Sequence, residues 1–399
     1  VPIGPLFSEQ STTGIRRFGG MIDDDYLRIF RSLSKKVAIY REMGDDPIVA
    51  AVLQAIRMRL RSVGWYAEAG GDSDADKQAA EFLQTCMDDM SQTWADSIDQ
   101  ALGEMQYGFQ LSETVYKKRL GYKAESGSRY EDGRIGWRKW IFIAPESLAP
   151  GNEWVFDEEG GLQGWNQQAP PDYKPVQVSI DKSILFRTTT EKGNPEGKAL
   201  LRAMYSPWYF KKNLEEIEAI SAERMGTGFP VIYAGDDVAR STATGGDLDT
   251  LKDIVRNTRA DEQMGLVLPW AKMGQGAREG MGILFELVAP PGRGVVNFHE
   301  SITRHEQRMS MVGLAQFIHL GMNQVGARAL GESSQDFFVL GVQGWLEGLT
   351  ETIQRYGVDR LMRLNHFPGL TANPYITHES LQGTNLLQMV EYVNKLVGA

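Results

Sequence analysis

The sequence is poor in the residues that metal sites and acid–base enzymes use most. It has one cysteine, Cys86, and five histidines among 399 residues. A single cysteine excludes an intramolecular disulfide and a cysteine-rich zinc site, and it fits a chain made in a reducing cytoplasm. Cys86 lies in a helical pattern beside acidic residues, which favours a buried thiol over a reactive one. The scattered histidines do not exclude acid–base chemistry, but they point to no catalytic site.

The sequence also lacks an excess of positive charge. Lys and Arg number 42 against 52 Asp and Glu, and the formal net charge is -10. Proteins that grip DNA by its phosphates usually carry a basic excess, so this chain is expected to meet nucleic acid without holding it tightly.

Long apolar runs are absent as well. No run approaches the length of a membrane span, and no charged-then-apolar segment predicts a signal peptide, so no membrane partner is expected. The valine at position 1 indicates a processed or trimmed chain, and the helical pattern that runs into Ala399 indicates missing residues beyond it.

Familiar catalytic and cofactor motifs are missing or incomplete. There is no GxxxxGK[ST] phosphate loop and no GxSxG elbow, and the glycines of "GQGAREG" lack the dinucleotide-binding spacing. His299 and His305 in "HESITRHE" are six residues apart, which places them on different faces of a helix. The acidic run Asp23–Asp25 is typical of a solvated helix start. We therefore predict no metal site and no cofactor.

The composition that remains is that of a globular protein with a sizeable core, 42% hydrophobic and 24% charged. Three- and four-residue apolar spacing predicts helices, and Gly, Pro, Asp and Asn bound short strands between them. The helices are predicted from Asp23, after the Asp46 cap, at 74–90, at 94–107, up to about Met225 with a kink at Pro207, from Asp247, at 296–320 and at 336–364.

The stretch around Gly108 predicts a junction between a helix and a strand. In "GEMQYGFQLSETVYKK" a helix is predicted to end at Gly108 and a strand to follow. Glu113 has no local partner for general acid chemistry, so we interpret it as structural. Four tryptophans of the strand-rich part are typical of a core, although they could also form a stacking platform for bases. They are Trp137, Trp140, Trp154 and Trp165.

Several blocks, taken in order, resemble tailed-bacteriophage portal proteins, with the Mu-type branch as the nearest. The blocks include "GDDPIVAAVLQAIRMRLRSVGWYAEAG", "YGFQLSETVYKK", "GNPEGKALLRAMYSPWYFKKNLEEIEAISAERMGTGFPVI" and "PPGRGVVNFHESITRHEQRMSMVGLAQFIHLG". The resemblance extends from about Asp23 to Ala399. It depends on the order of loosely defined blocks, since no invariant catalytic signature is present.

The resemblance implies an α+β portal-type fold and no enzymatic activity. It implies a ring, usually of twelve subunits, at one capsid vertex of the virion. The ring would be assembled in the host cytoplasm and would serve as the conduit for packaging and ejection of double-stranded DNA. Implied partners are other copies of the chain, the major capsid protein, the terminase and a head–tail adaptor.

The resemblance also divides the chain into functional parts. These are an N-terminal arm (1–22), a mixed α/β wing (23–197), a first stem helix region (198–226), an α/β clip (227–297), a second stem helix (298–320), a tunnel loop (321–335), and a long helix with a short C-terminal, crown-side helical segment (336–399).

The tunnel loop would contact DNA through weak, sequence-blind interactions from Asn323, Gln324, Arg328, Ser333 and Ser334. An ordinary surface linker is the alternative for this segment. On the second stem helix, Arg304 and Arg308 are four residues apart and share a face. They either face the tunnel or pair with carboxylates of a neighbouring subunit.

The sequence leaves two other functions open. One is a hydrolase or nucleotide-dependent enzyme with a non-standard site among Asp23–Asp25, His299 and Glu300. The other is a smaller adaptor ring of the neck, against which the length and the two-helix layout argue.

Overall fold

The described part of the chain forms two units. The computed structural model describes residues 11–123, 127–226, 229–234, 246–257, 283–288, 297–315 and 328–381. One unit comprises Val1–Pro207 with Gln307–Ala399, and the other is Trp208–Glu306.

Helices and strands alternate through the chain. The helices are α1 (Leu33–Gly44), α2 (Pro47–Arg61), α3 (Asp74–Asp88), α4 (Trp94–Ala101), α5 (Gly103–Tyr107), α6 (Leu200–Gly226), α7 (Asp247–Asn257), α8 (Phe298–Val312), α9 (Arg328–Ile353) and α10 (Asp359–Arg363). The strands are β1 (Arg17–Phe18), β2 (Met21–Ile22), β3 (Trp65–Glu68), β4 (Phe109–Lys118), β5 (Ile135–Ile143), β6 (Trp154–Phe156), β7 (Leu162–Gln167), β8 (Val176–Ser179), β9 (Ser183–Arg187), β10 (Phe229–Ala234), β11 (Ile283–Val288) and β12 (Tyr375–His378).

Local signals account for several helix ends. The Asp46 carboxylate accepts hydrogen bonds from the amides of Ile48 and Val49, and Pro47 occupies the first turn of α2, as predicted. Gly108 ends α5 in the left-handed conformation, with φ +93°, and its amide donates to the carbonyl of Glu104. The predicted helix-to-strand junction is confirmed.

Three predicted boundaries are wrong. The first helix begins at Leu33 and not near Asp23, because a short 3₁₀ turn at Arg28–Phe30 precedes it. The helix predicted over 298–320 ends at Val312, and Leu314 then adopts a positive φ of 55°. Residues 328–335 of the predicted 321–335 loop are helical, because α9 begins at Arg328, and residues 321–327 lie outside the described residues. The segment from Arg328 contains Ala, Leu, Glu and Gln, whose helix propensity offsets one glycine and two serines.

Part of the predicted N-terminal arm is ordered by its own chain. Strands β1 and β2 form a hairpin, and the carbonyl of Gly20 in the turn accepts a hydrogen bond from the amide of Trp154. Ile22 is buried. Residues 1–10 of the arm lie outside the described residues.

The larger unit is centred on an antiparallel sheet in the order β5-β4-β9. Phe109 and Leu111 of the central strand β4 belong to the core, together with Ile143 and Leu185 from the flanking strands. Helices α1 to α5 bury their apolar faces in the same unit. The chain thus places its longest buried strand directly after Gly108.

A second sheet has the order β6-β7-β8. Its first two strands form the hairpin predicted at "DEEGG", where the Asp157 carboxylate accepts hydrogen bonds from the amides of Gly160 and Gly161. Trp154 and Trp165 face each other across this hairpin and are buried. All four tryptophans named from the sequence are at most 1% exposed, so they are core residues and not a stacking platform.

The C-terminal part of the larger unit returns to its beginning. Strand β12 pairs antiparallel with β3, more than three hundred residues earlier in the sequence. The carboxylate of Asp76, near the start of α3, accepts hydrogen bonds from the amides of Thr371 and Ala372 and from the hydroxyl of Thr371. These contacts hold the segment that follows α10 in place.

The smaller unit contains the second half of α6, the antiparallel pair β10–β11, α7 and the first turns of α8. The Nζ atom of Lys211 lies 3.4 Å from carboxylate oxygens of both Glu215 and Glu306, so it joins α6 to α8. The ring of Phe210 stacks on that of His305, 5.9 Å between centroids. The two helices are therefore held side by side within this unit.

Candidate functional site

The acidic run at 23–25 is neutralised by its own chain. Asp24 pairs with Lys192 at 2.9 Å, and Asp25 receives two hydrogen bonds from the guanidinium of Arg202 at 2.7 and 2.8 Å. Burial acts to raise the pKa of Asp25, but the hydrogen bonds from Arg202 and from the Leu27 amide outweigh it and lower the pKa. These carboxylates are committed to ion pairs that hold the segment before α1 against the start of α6.

The same residues line a cleft of about 480 Å³ in the larger unit. Two further charged residues of the cleft, Lys36 and Glu196, form an ion pair at 2.5 Å, and the indole of Trp154 donates to the same glutamate. Carboxylates paired in this way are not free nucleophiles or bases. The enzyme alternative therefore gains no support from Asp23–Asp25.

The other residues of that alternative, His299 and Glu300, lie in the first turn of α8. Both are exposed, and Glu300 only caps the helix with Asn297. Among the described residues, no group of three or more His, Cys, Asp or Glu side chains is placed to hold a metal ion. No helix in the described ranges is long and apolar enough to cross a membrane.

Arg304 and Arg308 lie one turn apart on α8, and both side chains are exposed. Neither forms an ion pair with the part of the chain that the structure describes. The predicted shared face is thus present, and two exposed cations lie on it.

The five predicted tunnel-loop residues are only partly described. Asn323 and Gln324 lie outside the described residues. Arg328, Ser333 and Ser334 fall in the first two turns of α9, where only the backbone is described. If these three side chains contact DNA, they do so from a helix end and not from a loop.

Two paired carboxylates, one half-buried and one buried, belong to the structure and not to a site. Glu113 pairs with Lys182, which confirms its structural reading. Asp89 is buried against Lys117 of β4, with 2.9 Å between Nζ and Oδ2. Cys86 is buried too, and burial raises the pKa of its thiol to about 12, as expected for an inert cysteine.

Glu104 is the buried carboxyl with the largest raised pKa among the described residues. It is 4% exposed in α5, and burial raises its pKa to about 8. An unfolded glutamate ionises near pH 4.5, so between pH 4.5 and 8 the unfolded chain loses a proton that the folded chain keeps. Stability from this group is therefore full below pH 4.5 and falls as the pH rises to 8.

We expect Glu104→Gln to remove this pH dependence, because the amide stays neutral in both states. The variant should be about 2 kcal/mol more stable than the parent at pH 8, a value discounted from the full 1.4 kcal/mol per pKa unit because buried sites relax. At pH 4.5 the two should be equal. Urea unfolding at both pH values measures this, and an equal gain at both would contradict the pKa argument.

The exposed apolar residues of α8 and α9 were not recognised from the sequence. Met311 on α8 is 54% exposed, and on α9 Phe337 is 62% and Leu340 68% exposed. Helical periodicity could have indicated their exposure, because these residues are out of phase with the buried positions Met309, Phe338 and Val342.

The fold is shared with chains of solved virion and neck particles. It is similar to chains in the "Neck of empty GTA particle computed with C6 symmetry" (TM-score 0.55, 12% identity, 91% of this chain and 89% of that chain). It is also similar to chains in the "Neck of native GTA particle computed with C12 symmetry" (0.53, 12%, 91% and 89%) and the "Virion of native gene transfer agent (GTA) particle" (0.54, 11%, 91% and 89%). At these identities the similarity shows the fold.

The family is shown by a sequence model. The model for the portal protein of Mu bacteriophage matches residues 37–399. The chain belongs to this family of bacteriophage portal proteins, which are structural components of the virion. The resemblance noted in the sequence is confirmed.

Proposed function

We propose that the protein is a portal subunit that forms a closed ring at one vertex of a phage capsid. In this proposal the ring is the conduit for double-stranded DNA during packaging and ejection. Terminase, head–tail adaptor and major capsid protein bind to it, and the chain itself carries out no catalysis. The observation that carries the proposal is the match of the Mu portal family to residues 37–399.

The fold and charge support the same function. The neck structures with which the chain shares its fold include one computed with C12 symmetry, consistent with a twelve-subunit ring. The net charge of -10 suits a conduit, since a mostly acidic wall repels phosphates and does not trap the duplex. Assembly in the host cytoplasm and location in the virion follow from this role.

Each part of the chain then has a proposed place in the ring. Residues 23–197 form most of the wing, α6 is the first stem helix, and 227–297 form the clip that meets the adaptor. Helix α8 is the second stem helix, and residues 336–399 form the long wing or tunnel helix and a C-terminal segment on the crown side. Residues 321–335 face the tunnel, with Asn323, Gln324, Arg328, Ser333 and Ser334 as the proposed DNA contacts.

The expected result for purified protein is a ring with about twelve times the mass of one chain. Native mass spectrometry measures the mass, and averaged particle images down the symmetry axis show the central hole. A second measurement tests the conduit: duplex DNA of any sequence should bind weakly, and binding should weaken further as salt rises.

The two outcomes that contradict the proposal differ from each other. A lone monomer under all conditions, stabilised by a nucleotide, would favour the enzyme alternative. A ring that binds one DNA sequence tightly would exclude a sequence-blind conduit.

A further inference from the structure

Two helices present large apolar side chains to solvent on adjacent turns. Met311 projects from the last turn of α8, and Phe337 and Leu340 project from α9, each more than half exposed. Isolated exposed apolar residues are common, but a stripe of them on a helix marks a surface that another protein covers. Leu314 of the same chain packs beside Gly341 and leaves Phe337 and Leu340 uncovered.

Charged residues continue both stripes. On α8 the exposed Arg304 and Arg308 precede Met311, so this face is basic and then apolar. On α9 the exposed Glu347 and Glu351 follow Leu340, so that face is apolar and then acidic. Glu347 accepts a hydrogen bond from Gln343 at 3.1 Å, but it pairs with no cation among the described residues.

The two faces match when the helices run in opposite directions. Arg304 to Met311 and Leu340 to Glu347 are both seven residues apart, two helical turns or roughly 10 Å. Antiparallel packing in this register places Arg304 opposite Glu347 and Met311 opposite Leu340.

The middle of the register also fits. Arg308 then lies opposite Gln343 and beside Gly344, where an added Cβ would meet nothing within 4 Å, so the surface has room for the arginine stem. Phe337 lies one turn before Leu340 on α9 and lengthens the apolar part of the α9 face. The same register places the exposed Glu300 of α8 opposite Glu351, so a like-charge pair lies one turn beyond the Arg304–Glu347 pair.

We propose that α8 of one copy packs antiparallel on α9 of the next copy, as the contact between neighbouring subunits. The inference rests on the proposed ring, and it assigns the residues that close it. Because the two faces differ, the contact is head-to-tail, which is the type that closes into a ring. The partner is a second copy and not DNA, since Glu347 and Glu351 repel phosphate. Of the two sequence-based alternatives for Arg304 and Arg308, this contact selects a neighbour's carboxylates.

Site-directed cross-linking tests the register. Met311→Cys and Leu340→Cys are made in separate chains of different tag length, mixed before assembly and oxidised. Cys86 does not compete, because it is buried and its thiol pKa is raised to about 12. We expect the mixed-length dimer on a non-reducing gel from the mixture, and no dimer from either variant alone.

Several results would overturn the contact. Rings without the cross-link would reject it and leave the proposed function standing. Dimers of one variant alone would show a symmetric contact instead. The absence of both rings and cross-links would reject the contact together with the proposed function.

A charge exchange tests the ionic end separately. Glu347→Arg places a second cation opposite Arg304, so we expect the protein concentration at which half of the chains are assembled to rise about tenfold. Arg304→Glu, which places two anions opposite each other, should raise this concentration by the same factor. The double variant should return to the parent value. Glu81→Arg, an exposed acid on α3, is the matched control and should change assembly little. Single reversals without effect, or a double variant no better than either, would contradict the pairing.

Discussion

Replacing Asp89 by alanine is expected to lower the free energy of unfolding by about 3–5 kcal/mol, because it leaves the ammonium of Lys117 buried without its counter-charge. The side chains of Asp89 and Lys117 are 3% and 5% exposed. The carboxylate also accepts hydrogen bonds from the hydroxyl of Ser128 at 2.6 Å and from the amide of Arg129 at 2.9 Å. One side chain after α3 thus joins β4 to the loop before β5.

The control for this change is the preceding residue. Asp88 is also an aspartate of α3, but it is exposed, so Asp88→Ala should change stability by about 0.5 kcal/mol or less. Denaturant unfolding of both variants measures the difference. Equal effects would show that the buried network contributes nothing beyond an ordinary surface carboxylate.

The effect of Asp89→Ala should also depend on pH. Burial acts to raise the pKa of Asp89, but the hydrogen bonds from Arg129, Ser128 and Lys117 outweigh it and hold the pKa below its usual value. A carboxyl with a lowered folded pKa contributes stability above its ordinary pKa and loses it as the pH falls. The difference in the free energy of unfolding between the parent and Asp89→Ala should therefore decrease as the pH falls below 4.

Local features of this fold were predictable because a few adjacent residues determine them. Asp46 with Pro47 predicts the start of α2, and Gly108 predicts the end of α5, from side-chain chemistry and backbone freedom alone. The "DEEGG" turn predicts its hairpin in the same way. The family resemblance likewise came from the order of such local blocks.

Long-range features were not predictable from one sequence. The pairing of β3 with β12 and the binding of Thr371 by Asp76 join segments about three hundred residues apart, and nothing local identifies either partner. The candidate contact surface needed exposure as well as periodicity. Met311 and Leu340 are apolar residues of predicted helices, and only the structure shows that each is more than half exposed.

Gly108→Ala is expected to destabilise the protein by about 3–5 kcal/mol, from two causes that add. A non-glycine residue at positive φ costs about 1–3 kcal/mol, and forcing atoms into a packed region costs about 1–3 kcal/mol more. The added Cβ would lie 2.5 Å from the carbonyl oxygen of Glu196 and 2.8 Å from the amide of Ala199. Both neighbours are backbone atoms, which cannot rotate away as a side chain can.

Gly133→Ala separates the two causes. Gly133 also has a positive φ, +69°, but an added Cβ there meets nothing within 4 Å. We expect it to cost only the conformational part, about 1–3 kcal/mol. Thermal and urea unfolding of the two variants measure the difference, and equal costs would show that close packing at Gly108 is unimportant.

Gly197 allows a further test of whether close packing or backbone conformation determines the cost of Gly108→Ala. Gly197 packs directly on the carbonyl oxygen of Gly108, and that oxygen accepts hydrogen bonds from the amide and hydroxyl of Thr188. Both glycines therefore hold one junction, where the strand that follows Gly108 meets the chain entering α6. If Gly108→Ala opens this junction, Gly197→Ala has less contact left to disturb, and the double variant should cost less than the sum of the two single variants. Additive costs would mean that each glycine is required only for its own backbone conformation.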